Sequence, residues 1–320
     1  MGMKERLASD ARAFGGLTAR CCKIFLRDRA GVFFSLLAPL IVLLLYFLFL
    51  GDVQLDAASS ALQGLSYDDG ALRAFVNGWM IAGVVSVSCV TVSFSAQSVM
   101  ISDREKGTLS DVLVTPVRRM TVSAAYFAGN CVVTFGITLV VLAVCLVFAA
   151  ATGWYLTAGD VFAAVGITAM STLSAAMIST LVCTPLRSSN AHSAFTGIVS
   201  AAIGFLMGAY MPVSAFPTAV QYVVLFVPGT YSAGVFRNIF SGGALTELCS
   251  GAPPAVESAL REAFTLDMDF FGVTVGAAQM TGIFAATLLI VAGIAGGIAG
   301  GIAGVRMIAR RKMSVPRAED

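Results

Sequence analysis

Charge is what this 320-residue chain has least of: only 12% of its residues are Asp, Glu, Lys or Arg, and it has one histidine, His192. His192 has no Ser and carboxylate paired with it within reach in sequence, so it reads as a polar interface residue rather than a catalytic base. No His/Asp/Glu cluster has metal-ligand spacing. The phosphate-binding pattern G-x-x-x-x-G-K-[ST] is absent, so any ATP chemistry has to come from another chain. The seven cysteines (Cys21, Cys22, Cys89, Cys131, Cys145, Cys183, Cys249) show no C-x-x-C spacing and read as small packing residues. Above all, the long apolar runs hold no Asp, Glu, Lys or Arg until Arg306. That removes the buried ionisable groups on which ion-coupled carriers depend.

What is present in excess is hydrocarbon. The chain is 58% hydrophobic, against about 45–50% for soluble domains, and its mean hydropathy is +0.87. A run of 18 or more apolar residues spans the ~30 Å core of a bilayer as a helix. Six such runs occur, at 31–50, 76–101, 122–151, 161–185, 192–212 and 276–305. The expected fold is an all-α integral membrane protein of six transmembrane helices. The membrane domain covers 31–305, between an N-terminal segment, 1–30, and a tail, 306–320. Lys and Arg divide 17 to 3 between the two sets of flanking segments, which predicts that both termini face the cytoplasm. The first run is long enough to span and is followed by others, so it is expected to remain as an uncleaved span.

Four polar or broken stretches interrupt this pattern. In segment 1–30, Leu7, Phe14, Leu17, Cys21, Ile24 and Phe25 recur at helical spacing among basic residues. This predicts an amphipathic helix in the membrane interface, its apolar face in the acyl boundary, with Gly15 and Gly16 as a weak point that could divide it in two. The loop 51–75 is acidic. The segment 102–119, "SDREKGTLSDVLVTPVRR", carries seven charged residues. Gly107 permits a sharp turn there, and Thr108 with Asp111 resembles a capping box. Leu109, Val112 and Leu113 fall on one helical face before Thr115-Pro116 ends the helix after about two turns. A helix so short needs a surface to dock against.

The external segment 213–275 begins with "MPVSAFPTAVQYVVLFVPGTYSAGVFRNIFSGG", counting from Met211. Its apolar piece, Ala219–Val227, is too short to span and is bracketed by Pro217 and Pro228. It predicts two short helices, broken at Pro228, forming a re-entrant hairpin that enters the outer leaflet. A polar insert at 243–270 follows, read as a loop and a short helix. In the last run Gly293, Gly297 and Gly301 recur every four residues, a pattern that lets helices approach closely. Asn77, Gln97, Asn130 and Gln279 are the polar side chains in or near the runs; each could serve an interhelical hydrogen bond or a substrate.

The 102–119 segment resembles the cytoplasmic loop of type-2 ABC transporter permeases, which follows a pattern close to E-x-E-x-G-T-L-E-x-L-x-x-T-P-x-x-R. Ser110 departs from it, standing where Glu is frequent. The stretch containing Pro212, Pro217, Pro228 and Tyr231 resembles the external hairpin of the same family. The resemblance implies that Asp103, Glu105, Gly107, Thr108, Leu109, Val112, Leu113 and Pro116 form a coupling helix docked on a separate ABC ATP-binding subunit. It further implies a second permease, identical or paralogous, in a bacterial cytoplasmic membrane. ATP and Mg would be bound by the partner, with no cofactor in this chain and no nucleic acid. The transported substrate would be lipophilic or drug-like, or a lipid or glycan, moving outward among membrane lipid. An ion-coupled carrier or channel and a non-transporting scaffold are the competing readings.

Overall fold

The computed structural model describes residues 3–62, 67–270 and 273–293 and is almost wholly helical. Helices α1 (Met3–Arg27) and α2 (Arg29–Leu45) meet at a 75° bend, where the Asp28 side chain accepts from the Gly31 amide at 3.0 Å and caps α2. A π-helical turn (Tyr46–Leu50) passes directly into α3 (Gly51–Ala61). The first span therefore continues as helix well into the stretch expected to be an acidic loop. Nothing in "GDVQLDAASSA" breaks it, since Gly51 keeps a right-handed φ of −57°.

Next come α4 (Asp69–Ala96), α5 (Ser98–Glu105), α6 (Thr108–Leu113), α7 (Arg119–Thr152), α8 (Ala158–Cys183) and α9 (Ser189–Leu206). The chain closes with α10 (Thr218–Leu225), α11 (Pro228–Leu248), α12 (Pro254–Ala263), an antiparallel hairpin of β1 (Met268–Phe270) and β2 (Val273–Val275), and α13 (Ala277–Gly293). Three stretches are long and apolar enough to cross a membrane: Asp69–Glu105, Arg119–Thr152 and Ala158–Cys183. Two bent pairs, α1 with α2 and α10 with α11, would raise that number to five. The protein is thus a multi-pass helical membrane protein. Among the described residues α9 is not one of these candidates, and the expected run 276–305 continues beyond the described residues.

Helix α4 is the central element, enclosed along most of its length. Helix α11 runs antiparallel to it in van der Waals contact. Ser241 donates to the Phe75 carbonyl at 3.1 Å, and a Cβ on Gly78 would come within 2.4 Å of the Phe240 carbonyl oxygen, so only glycine permits this approach. Trp79, Phe75 and Phe264 stack edge-to-face in the core, and the Trp79 indole donates to the Phe264 carbonyl at 2.8 Å. The insert at 243–270 is therefore part of the main core, through Leu260, Phe264, Leu266 and Met268. Its end forms a β-hairpin that the sequence reading did not anticipate.

The hairpin differs from expectation in one respect. Its first helix is short, but α11 is 21 residues long and lies at 94° to α10. Pro228 does not break α11; it starts it, at the position where a missing N–H costs nothing. Thr230 and Tyr231 donate to the Val224 and Leu225 carbonyls at 2.9 and 2.8 Å, satisfying the exposed end of α10. Pro212 precedes a single 3₁₀ turn, and Pro217 sits at the start of α10.

Helix α1 is continuous through Gly15 and Gly16, and it runs alongside α7 in the same direction. Asp10 pairs with Arg118 at 3.3 Å, and the Thr18 hydroxyl reaches the Ala125 carbonyl at 3.5 Å. Farther along, the Cys22 sulfur reaches the Gly129 carbonyl at 3.9 Å. The apolar face of α1 is accordingly packed against protein, with Cys21 and Phe25 buried among Val122, Tyr126 and Val133. Leu17, Cys21 and Phe25 of the expected apolar face thus meet α7, while Phe14 and Ile24 stay exposed.

Candidate functional site

The charged segment expected to carry function lies at one end of the helix bundle, where the last turn of α5 acts as a hub. Three consecutive residues there reach three different places. Asp103 accepts both terminal nitrogens of Arg20 on α1, at 2.6 and 3.0 Å, and the Tyr126 hydroxyl of α7 at 2.6 Å. Arg104 donates to the Thr184 and Leu186 carbonyls, at 2.5 and 2.7 Å, just past the end of α8. Glu105 accepts from the Ser189 amide at 3.1 Å and from the Ser189 hydroxyl, at the start of α9. Arg104 and Glu105 each match the helix end they meet, cation on carbonyls and carboxylate on an amide. One helical turn thereby ties α5 to α1, α7, α8 and α9.

One to two turns deeper lies a buried network of neutral side chains. Ser93 meets Ser179 at 2.8 Å, and Asn130 donates to Ser179 at 3.1 Å while accepting from Thr134 at 2.8 Å. Gln97, at the break between α4 and α5, donates to Thr180 at 2.5 Å. Asn130 and Gln97 thus form interhelical bonds, while Gln279 accepts from the Gly276 amide at the start of α13. His192 is buried and donates from Nε2 to the Phe94 carbonyl at 3.0 Å, as a polar interface residue.

Beyond Glu105 the chain turns at Gly107, whose φ of +80° is readily adopted only by glycine. Gly107, not Thr108, caps α6: its carbonyl accepts from the Ser110 and Asp111 amides at 2.8 and 3.3 Å, and no side chain caps the helix. Thr108 is the first helical residue, because the left-handed turn starts α6 one position earlier than the capping-box reading. The helix is six residues long.

Its two faces divide sharply. Leu109, Val112 and Leu113 are half-buried against the protein's own α1–α5–α7 cluster. Their inner side rests on the protein's own bundle, and part of each side chain stays exposed. The outward side presents Ser110, Asp111, Thr115 and Pro116, with Val114 at its centre and 85% exposed. Met120, 68% exposed, adds a second bare apolar side chain at the start of α7.

The structure therefore brings together Asp103, Glu105, Gly107, Thr108, Leu109, Val112, Leu113 and Pro116, with Asp103 turned inward. Pro212, Pro217, Pro228 and Tyr231 belong to the distant hairpin. Gly293 is exposed at the end of α13, and Gly297 and Gly301 lie outside the described residues. The sequence reading missed Arg20, Arg104, Tyr126 and Val114. Arg20 is one of many basic residues near the N-terminus, and only its partner marks it out. It also counted Arg237 as a loop charge. Arg237 is instead fully buried on α11, donating to the Met207, Gly208 and Thr265 carbonyls at 3.0, 2.6 and 3.3 Å, beneath the Trp79 ring.

Among the described residues no three His, Cys, Asp or Glu side chains are grouped so as to hold a metal ion, and the hub's hydroxyl–carboxylate contacts, Ser189 with Glu105 and Tyr126 with Asp103, join helices. What the hub does structurally is join α5 to four other helices through bonds made by three consecutive residues. Comparison with curated proteins finds no match. The family model described as ABC-2 type transporter matches residues 12–241, from α1 through the hub and the hairpin into α11. On that match, which spans well over half its length, the chain belongs to the ABC-2 type transporter family.

Proposed function

We propose that this chain is the permease of an ATP-driven exporter, working with a separate ABC ATP-binding subunit that docks on the outward side of α6. The observation that carries the reading is the exposed Val114, flanked by Ser110, Asp111 and Pro116 on a helix whose other face is already seated. In a chain of this family, a bare apolar side chain beside exposed Ser110, Asp111 and Thr115 on the charged loop is open to a protein partner. In this reading six spans cross a bacterial cytoplasmic membrane with both termini inside, and two permeases, identical or paralogous, enclose the pathway. Closure of the ATPases on ATP and Mg moves α6, and the Asp103–Arg104–Glu105 hub passes the displacement to α1, α7, α8 and α9. The cargo is lipophilic or drug-like, or a lipid or glycan, since the runs carry no charged lining.

The test is a mild-detergent purification of tagged protein from its native host. A stoichiometric partner bearing a phosphate loop, with ATP hydrolysis, is expected to accompany wild-type protein and to be lost on Val114→Asp. Retention of that partner by Val114→Asp places docking elsewhere. A wild-type chain that purifies alone and without ATPase activity favours a carrier or scaffold.

A further inference from the structure

The face of α1 opposite α7 joins the hub only through Arg20 and takes no part in the proposed docking surface. Gly16, Ala19, Arg20, Lys23, Ile24 and Arg27 line an open groove of about 370 Å³ there. Their spacing of three and four residues places them on one side of the helix. Gly16 and Ala19 leave the helix surface open between the three cationic side chains. Lys23 and Arg27 are exposed, and among the described residues neither has an ion-pair partner. On either side of the α1–α2 bend, Leu26, Phe33 and Phe34 are 58, 58 and 63% exposed.

We infer that this groove binds the headgroup of an anionic phospholipid, whose acyl chains lie along Leu26, Phe33 and Phe34. Two unpaired cations supply the charge complement. The adjoining apolar side chains favour a lipid over a soluble anion, which would gain nothing from them. Arg20 gives the site a consequence: it lines the groove and also holds Asp103. Lipid occupancy is thereby coupled to the α5 hub and to α6.

The experiment uses the purified full chain in mild detergent, with bound lipid counted by native mass spectrometry. It needs no ATPase partner, so its outcome is separate from that of the docking test. Chain-matched phosphatidylglycerol is compared with phosphatidylcholine. Wild-type protein is expected to retain phosphatidylglycerol selectively. Each cation near a headgroup contributes about a fivefold factor, so Lys23→Gln with Arg27→Gln lowers the preference about 25-fold. Gly16→Leu should weaken it as well, because a side chain added there meets no protein atom within 4 Å and fills the groove without disturbing the fold. Arg119→Gln with Arg187→Gln removes equal charge elsewhere and should leave the preference intact. The inference is overturned if wild-type protein shows no preference, or if the control pair weakens it equally. It is also overturned if inorganic phosphate displaces the lipid at matched concentration, which would make the groove a soluble-anion site.

Discussion

Asp103 and Arg20 show how much a residue's meaning depends on its partner. Both lie in charged stretches where a solvated role would be the default, yet Asp103 is 7% exposed and accepts three hydrogen bonds. Charge-assisted hydrogen bonds contribute about 1.5–3 kcal/mol, and the partial exposure of Arg20 reduces this toward the lower end. Asp103→Asn is expected to destabilise the purified chain by about 2 kcal/mol, measured by thermal unfolding in detergent. A double-mutant cycle of Arg20→Ala and Asp103→Ala should show coupling above about 0.5 kcal/mol; additive single effects would mean that the pair holds nothing together. Asn130 is a milder case. Its bonds to Ser179 and Ser93 belong to the class of interhelical contacts that average about 0.6 kcal/mol. Asn130→Leu should therefore cost stability only modestly in the same measurement.

At the scale of the element, α6 is the instructive case. Its periodicity located an apolar stripe correctly but could not tell what the stripe faces. Because Leu109 is seated on the protein's own bundle, Leu109→Asp should lower the stability of the isolated chain by about 1–3 kcal/mol, the cost of burying a poorly partnered polar group. Val114→Asp, on the exposed side, should stay within about 0.5 kcal/mol of wild type. The thermal stabilities of the two variants without any partner check this directly, and equal losses would mean that α6 does not sit as described. The turn before it makes a second prediction. A β-branched residue at Gly107 must adopt a φ of +80°, at about 1–2 kcal/mol, whereas Asn tolerates it better. Gly107→Val should accordingly be less stable than Gly107→Asn.

For the whole molecule, topology is the open quantity, and cysteine labelling in intact cells measures it. In a Cys249→Ser background, Ser258→Cys on α12 is expected to react with an impermeant thiol reagent, and Ser110→Cys on α6 only after permeabilisation. The reverse pattern would invert the orientation drawn from the Lys/Arg distribution. For the α10–α11 hairpin the informative position is Phe226, 79% exposed on the protein. A cysteine there should resist the reagent if the hairpin enters the bilayer and react if it rests in water. Val224 is fully enclosed and would be protected in either case.

By itself the sequence determined the solvent, the helical class and the place of the polar loop. These follow from composition, from run length and from local signals such as Gly107 and Pro116, each of which acts within a few residues. It determined the hairpin break at Pro228 for the same reason. Only the tertiary structure decided which face of α6 is bare, that Asp103, Arg104 and Glu105 each hold a different helix, that α1 lies along α7, and that Arg237 is buried rather than solvated. The physical reason is range. Arg20 and Asp103 are 83 residues apart, and Trp79 and Phe264 are 185 apart. A periodic pattern reports that a face is apolar or a residue charged, but the identity of what covers it is set by packing between helices that no local signal encodes.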